Sequence, residues 1–345
     1  MTRFTDKLRA PGLVLAVFLA ASVSFVQAAP VATAAPTRLR SETISAFDRY
    51  VRLTEERNDM EMKRGSPILW IDSLPETQRA EAYSALKRGE VKIHQLATLH
   101  AGKPIFCAGG LIHHWVGAVF IPGANLNGVL GVLRDYDHQS EYYAPDVERS
   151  KIESRDGDHF RVFLRFRRHK VITVVLDTEH DVRYFHDAPD RAHSRSSAVR
   201  IAEVQNPGKS DEREKPPGDD GGFLWRMETW WRIEERDGGA YLQSEVASLT
   251  RDIPTGLGWL IGPFVTSIPK ETLAFTLEAT RKAVQARSKS AIGEGGRRSQ
   301  LLKGLFQRTE KDATAVKKRM RPAGGFPPRV GDQNDAIGPL RDQPE

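Results

Sequence analysis

The feature that most restricts the fold of this sequence is a succession of strand-like segments in the middle of the chain, with no helical segment between them. Turns such as Asp156-Gly157-Asp158 and Asp237-Gly238-Gly239 join neighbouring segments, and these residues tolerate the backbone conformations that hairpins require. Short links predict an antiparallel meander, because parallel strands need long crossover connections. Seven candidate strands follow one another: Val147–Ser154, His159–Arg168, Val171–Thr178, Val182–Asp187, Arg191–Val204, Phe223–Glu234 and Ala240–Thr250.

Helical patterns and two more strands precede this meander. Apolar residues recur at helical spacing from Ser41 onwards, and Glu76–Lys87 is predicted as a second, shorter helix. Val91–Leu99 and Leu111–Ile121 are two candidate strands, and a third helix is predicted within Asn125–Tyr136. The charged, Pro- and Gly-rich stretch 205–222 is predicted as a solvated loop, with a mobile cover as the alternative to a plain insertion.

A long helix is predicted after the last strand. Pro269 suits a first helical turn, and Leu273, Leu277 and Val284 share one face, with Phe275 on its flank. An amphipathic helix of this length can cover the apolar side of a single sheet. The sequence therefore predicts an α+β fold in which a curved antiparallel sheet wraps around the C-terminal helix. A pocket is expected where sheet and helix do not touch.

The N-terminus has the pattern of a secretory signal. Arg3, Lys7 and Arg9 precede an apolar run from Leu13 to Val26, and Ala28 ends a small-residue cleavage site. The run is shorter than the roughly 20 residues of a spanning helix, which favours cleavage over an uncleaved membrane anchor. We expect a periplasmic or secreted protein.

The resulting organisation is a signal peptide at 1–28, a flexible spacer at 29–40, a helical extension at 41–90, the main domain at 91–287 and a basic, mostly disordered tail at 288–345. The tail carries twelve basic and seven acidic residues, whereas the middle of the chain is near neutral. This distribution excludes a basic nucleic-acid platform. The tail either contacts anionic lipid headgroups transiently or is a solvated terminus, and the second interpretation is favoured.

Aromatic side chains are the first candidates for lining the pocket. Trp231 alternates with Trp225, Met227, Thr229 and Ile233 on one face of a strand, which should point toward the C-terminal helix. The alternative is that these rings only fill core volume. Three residues from other segments complete the predicted lining: Trp115, Trp259 and Leu277.

A carboxylate and an arginine are the polar candidates. Glu245 shares a strand face with Leu249, and an ionised carboxylate in an apolar cavity would need a partner. Arg165, which alternates with Phe163 on another strand, is a candidate partner that could orient a polar group of the ligand. The opposite choice of face makes both residues ordinary surface charges.

No pattern in the sequence indicates catalysis or metal binding. His113 and His114 are adjacent on a strand, so their side chains diverge, and no Cys/His spacing suits zinc. Nucleophile-elbow and phosphate-loop signatures are absent, and Cys107 lacks a recognisable protease context. We expect neither a catalytic residue nor a cofactor nor a metal.

Two stretches of sequence carry a family resemblance. Gly110–Trp115 lies on an early strand, and Ser248–Pro254 leads through Gly258–Pro263 to the last helix. With the element order, these stretches resemble the START-like (SRPBCC, helix-grip) superfamily over Gly109 to Ala286. The chain looks most like an exported bacterial branch without an assigned activity, and is more distantly similar to polyketide cyclase-like and coenzyme Q-binding START proteins.

The resemblance implies a cavity for a hydrophobic small molecule such as a lipid, an isoprenoid or a polyketide-like compound. The superfamily has no shared catalytic residues, so it implies none here. The favoured function is an exported binding protein. The alternatives are a START-like cyclase or hydrolase-type enzyme acting on an aromatic or polyketide-like substrate, and a structural or interaction module without ligand.

Overall fold

A computed structural model describes residues 37–65, 67–169, 173–252 and 267–290. The predicted signal peptide, Trp259 and all of the basic tail after residue 290 lie outside these ranges. No helix in the described part of the chain is long and apolar enough to cross a membrane. The helices are α1 (Ser41–Arg64), α2 (Glu76–Lys87), α3 (Leu126–Leu133), α4 (Gln139–Tyr142) and α5 (267–290), with single turns of 3-10 helix at Trp70–Ser73 and Tyr136–His138.

The strands fall into one large sheet and two small ribbons. Two strands that were predicted separately, 171–178 and 182–187, form a single long strand. The strands are β1 (Thr37–Arg38), β2 (Lys92–Gln95), β3 (Leu99–His100), β4 (Lys103–Pro104), β5 (Gly110–Pro122), β6 (Val147–Asp156), β7 (His159–His169), β8 (Thr173–Ala188), β9 (Arg191–Gln205), β10 (Arg213–Glu214), β11 (Asp219–Asp220), β12 (Arg226–Arg236) and β13 (Gly239–Arg251).

The large sheet is antiparallel and open. Its strand order is β2-β5-β13-β12-β9-β8-β7-β6, and β10 adds to the end of β9. Register shifts interrupt the regular pairing in the β6–β7 and β8–β9 pairs. The predicted meander is confirmed from β6 to β13, while β5 pairs with β13 and so joins the first part of the chain to the last.

Helix α5 packs on one side of the sheet, called here the grip face. Leu273, Leu277 and Val284 are buried there against strand residues such as Val119 and Ile233, as their shared helical face predicts. Helices α3 and α4 cover the rest of this face through residues including Leu130 and Tyr143. The α+β helix-grip architecture is thereby confirmed.

The opposite side of the sheet, called here the outer face, is also buried over β5, β13 and β12. Phe47 and Tyr50 of α1 pack on Trp230 and Leu249, and α2 with the 68–74 segment covers Tyr241. Trp225 was predicted on the grip face, but it lies in this outer cluster. It precedes β12, so it does not follow the alternation of side chains along that strand. These three strands therefore form a middle layer between N-terminal helices and the grip-face helices.

The 205–222 stretch is fastened to the sheet at several points. Glu212 accepts a hydrogen bond from Arg165, and Lys215 pairs with Glu203. Residues Asp219–Asp220 pair with Thr37–Arg38, within the predicted spacer. These contacts favour the interpretation of this stretch as a plain insertion and not as a mobile cover.

Candidate functional site

The middle of the grip face is less completely covered than its ends. Trp115, Val246, Thr229 and Ser196 are successive cross-strand neighbours on β5, β13, β12 and β9. All four side chains are half-buried, although their strands are central in the sheet. We call them the grip row.

The next row of the same face shows where α5 touches the sheet. It consists of Gly117, Ser244, Trp231 and Ser194. A Cβ at Gly117 would lie only 2.7 Å from Leu277 Cδ1, so the helix approaches the backbone of β5 closely. Two strands away, Trp231 remains half-buried. Contact with the helix is thus tight at β5 and looser above β12.

Two buried polar atoms on this face have no hydrogen-bond partner within the described ranges: Trp115 Nε1 and Ser194 Oγ. Leaving a buried polar group unsatisfied costs about 1–3 kcal/mol, so native proteins usually provide a partner. An indole N–H can only donate, whereas a hydroxyl can donate and accept. A carbonyl or hydroxyl oxygen of a bound molecule would satisfy either atom.

A neutral histidine adds polarity farther along the face. His180 is buried, and its Nε2 lies 2.9 Å from Thr178 Oγ1, which itself donates to the carbonyl of Leu164. The hydroxyl therefore accepts from Nε2–H, leaving Nδ1 as an acceptor 3.5 Å from Ser196 Oγ. Burial lowers the pKa of His180 to about 4, so the ring is uncharged at neutral pH.

Glu245 lies on the outer face, beneath α1. Its Oε1 is 2.8 Å from His114 Nε2 and also accepts from Arg57 Nη2. On the other side of the ring, His114 Nδ1 is 2.8 Å from the hydroxyl of Tyr50, which accepts from the amide of Thr98 at 2.9 Å. Every group is satisfied when Tyr50 donates to Nδ1 and Nε2–H donates to Glu245.

This network is buried except at Arg57, which is one-third exposed, and it joins α1 to the sheet. Tyr50, His114 and Glu245 are 5%, 1% and 2% exposed. Burial acts to raise the pKa of Glu245, but the His114 hydrogen bond and the Arg57 charge outweigh it, and the pKa is lowered overall. This face of β13 was expected either to line the cavity or to face water. Both expectations are wrong, because α1 covers it as a third layer.

Arg165 does not reach Glu245. Its Nε and Nη2 donate to the two carboxylate oxygens of Asp177 at 2.6 and 2.7 Å, and its Nη1 donates to Glu212 at 2.8 Å. Phe163 lies on the same face of β7, and that face is the outer one because Phe160, Val162 and Leu164 point into the grip-face core. The suggested pairing of Arg165 with Glu245 is therefore wrong.

The structure divides the eight predicted lining residues into three groups. Trp115, Trp231 and Leu277 come together on the grip face. Leu249 lies in the outer cluster beneath α1, with Glu245 on the same face of β13, and Phe163 and Arg165 lie on the outer face of β7. Trp259 is outside the described residues. No group of three or more His, Cys, Asp or Glu residues that could hold a metal occurs in the described ranges.

Sequence reasoning missed Ser194, Ser196 and His180. The alternation of Ala192, Ser194 and Ser196 along β9 is a weak signal, because small residues on one strand face leave room above the sheet. Nothing in the sequence distinguishes them from serines facing solvent.

Comparisons with known proteins find structural similarity only. No protein-family model and no curated protein matches the chain. Three similar solved structures are a STAR-related lipid transfer protein from Xanthomonas axonopodis, the Zhui aromatase/cyclase from Streptomyces sp. R1128, and the lipid transfer and protein localization domain of human StarD13.

These similarities are distant. The three structures are 20%, 15% and 10% identical to this chain, with TM-scores of 0.36, 0.35 and 0.33. They cover 52%, 52% and 61% of this chain and 96%, 98% and 98% of their own. Values this low carry no argument about ligand or activity. The helix-grip fold of this chain follows from its own strand order and closing helix.

Proposed function

We propose that this protein binds one hydrophobic small molecule between the grip face and α5, and that it does so outside the cytoplasm. The grip row offers half-buried aromatic and aliphatic surface in the middle of the grip face. Each Å² of apolar ligand surface removed from water there contributes about 25 cal/mol before ordering costs are subtracted.

The observation that carries the proposal is the pair of unpartnered buried atoms, Trp115 Nε1 and Ser194 Oγ. They lie on strands β5 and β9, with β13 and β12 between them. Strands are about 4.8 Å apart, so the two atoms suit an elongated molecule with oxygens at separate positions better than a compact one.

The chemistry of the two rows favours an uncharged ligand. Neither row contains a charged side chain, and His180 beyond them is neutral at pH 7. A fixed charge on the ligand would have to be desolvated without a counter-ion, which is costly. A neutral lipid, an isoprenoid or a polyketide-like compound with carbonyl or hydroxyl groups meets these conditions.

Native mass spectrometry of the protein purified from its own cells tests the proposal. We expect a co-purifying apolar compound in a one-to-one complex, which organic extraction would release for identification. Trp115→Phe and Ser194→Ala should each weaken its binding about threefold to tenfold, the loss expected for one hydrogen bond.

A matched control comes from the outer face. Trp70 Nε1 is likewise buried without a partner, but Trp70 stacks on His94 away from α5. Trp70→Phe should leave ligand binding unchanged. Protein that is always empty would favour the structural module, and chemical turnover of the extracted compound would favour the cyclase-type enzyme.

Export is tested separately. The mature protein in a periplasmic fraction should begin at Ala29, the residue after the expected cleavage site. An intact N-terminus on protein from the cytoplasmic fraction would contradict export while leaving the binding proposal standing.

A further inference from the structure

A short hairpin exposes large apolar side chains at one end of the sheet. Strands β3 and β4 form it, with Ala101 and Gly102 at its tip in positive-φ conformations suited to a tight turn. Leu99 is 48% exposed, and Phe106, just after β4, is 85% exposed. We call the 99–106 segment the apolar hairpin.

The exposure is imposed by the packing on either side. Ile105 and Cys107 both pack inward against the outer-face cluster, so Phe106 between them must point outward. The segment is fastened at both ends: the amide of Thr98 donates to Tyr50, and Thr43 Oγ1 donates to the carbonyl of Ala108 at 2.6 Å. Phe106 cannot turn into the core without breaking these contacts.

The apolar hairpin carries one positive charge, Lys103, and no negative one. Lys92 lies farther along β2 and pairs with Glu90, so Lys103 is the cation at the hairpin. Lys103 is exposed within the apolar hairpin itself. Exposed aromatic and aliphatic side chains beside lysine are the combination that binds an anionic bilayer surface: the apolar groups enter the interface and the cations meet phosphate.

We propose that the apolar hairpin docks this protein on an anionic membrane surface. The hairpin lies at the end of the sheet where the grip row is nearest: Gly109 accepts from the amide of Asp252, just after β13 ends. Trp115 is only five residues into β5 from this end. Docking there would bring the grip row close to the bilayer. The use of this closeness for ligand exchange rests on the proposed function, whereas the docking itself does not.

Vesicle flotation with the full chain tests the docking. Vesicles of phosphatidylcholine mixed with phosphatidylglycerol are compared with vesicles of phosphatidylcholine alone. We expect the wild-type protein to float with the anionic vesicles, and the double variant Leu99→Ser/Phe106→Ser to bind them about tenfold or more weakly. Lys103→Glu should weaken binding at low salt and lose its effect at high salt, because the charge contribution is screened.

Phe185→Ser is the matched control, because Phe185 is 40% exposed on β8, in a different part of the sheet. It should bind like wild type. Every variant keeps the basic tail, so a loss in the double variant belongs to the hairpin. Equal binding by the double variant and wild type would overturn the inference. So would a wild-type dimer that the double variant converts to a monomer, because the hairpin would then be a self-association surface.

The two proposals fail in different ways. Hairpin-dependent vesicle binding by a protein that never carries a ligand would refute the proposed function and leave the docking intact. A protein that carries a ligand but floats with vesicles independently of Phe106 would refute the docking and leave the proposed function intact.

Discussion

Replacing Glu245 with glutamine should destabilise the fold at neutral pH. The substitution keeps the shape of the side chain but replaces a carboxylate that accepts from both His114 and Arg57. Both donors reach the same oxygen, Oε1, so a glutamine oxygen can still accept from both, but without the negative charge that strengthens these bonds at a side chain that is only 2% exposed.

Hydrogen bonds to charged groups contribute about 1.5–3 kcal/mol and neutral ones about 0.5–1.5 kcal/mol, so weakening both bonds costs about 2–3 kcal/mol. Arg57 is one-third exposed and can turn toward water, which keeps the cost below that of a fully buried unpaired charge. For a domain of this size we expect the Tm to fall by about 4–12 °C. Thermal and urea unfolding followed by circular dichroism measure this difference.

The pH dependence gives a second readout. The pKa of Glu245 is lowered in the folded protein, so its contribution is complete above the unfolded value of about 4.3 and is lost as pH falls through the folded value. The difference between wild type and E245Q should therefore shrink below about pH 4. Glu153→Gln, at an exposed position of β6, should change little at any pH. An E245Q variant as stable as wild type at pH 7, or a difference that persists unchanged at acid pH, would refute the assigned network.

Three further substitutions probe other parts of the fold. Leu277→Ala should cost about 2–5 kcal/mol in urea unfolding, because its side chain is fully buried between α5 and the sheet; a cost near zero would contradict that packing. Arg165→Leu should cost about 3–5 kcal/mol, since it leaves Asp177 buried without its partner, and it should make the 205–222 stretch easier to cleave with protease because the contact with Glu212 is lost; unchanged protection of that stretch would contradict this contact. The pKa of His180 is about 6.5 in the unfolded chain and about 4 in the folded protein, so the wild type should lose stability as pH falls between these values. His180→Asn should remove this loss. A wild-type imidazole that titrates near 6.5 by NMR would show that it is not buried.

The sequence alone was enough to predict the elements that bury only one of their faces. Leu273, Leu277 and Val284 recur at helical spacing, and Trp231 and Ile233 alternate along a strand, so both patterns report the face on which α5 and the sheet meet. The antiparallel strand order was predicted from tight turns, which are likewise set by a few neighbouring residues.

Face assignment failed where both sides of a strand are covered. Along β13, Glu245 and Leu249 face α1 while Leu242 and Val246 face α5, and both sets are largely buried. Alternation then no longer separates core from solvent. The partner of Arg165 was missed for a related reason. Asp177 is twelve residues away and meets it only through the register of β7 and β8, which residue types alone do not determine.

The most direct measurement of ligand binding on the grip face is titration with an apolar fluorescent probe, N-phenylnaphthylamine, after any natural ligand has been extracted. Val246→Trp should fill the grip row between Trp115 and Thr229, whereas Val199→Trp adds the same ring at an exposed position. We expect saturable binding of one probe by wild type and Val199→Trp, and loss of binding in a folded Val246→Trp variant. Equal binding by all three proteins, or no saturable binding by wild type, would contradict a ligand site between the sheet and α5.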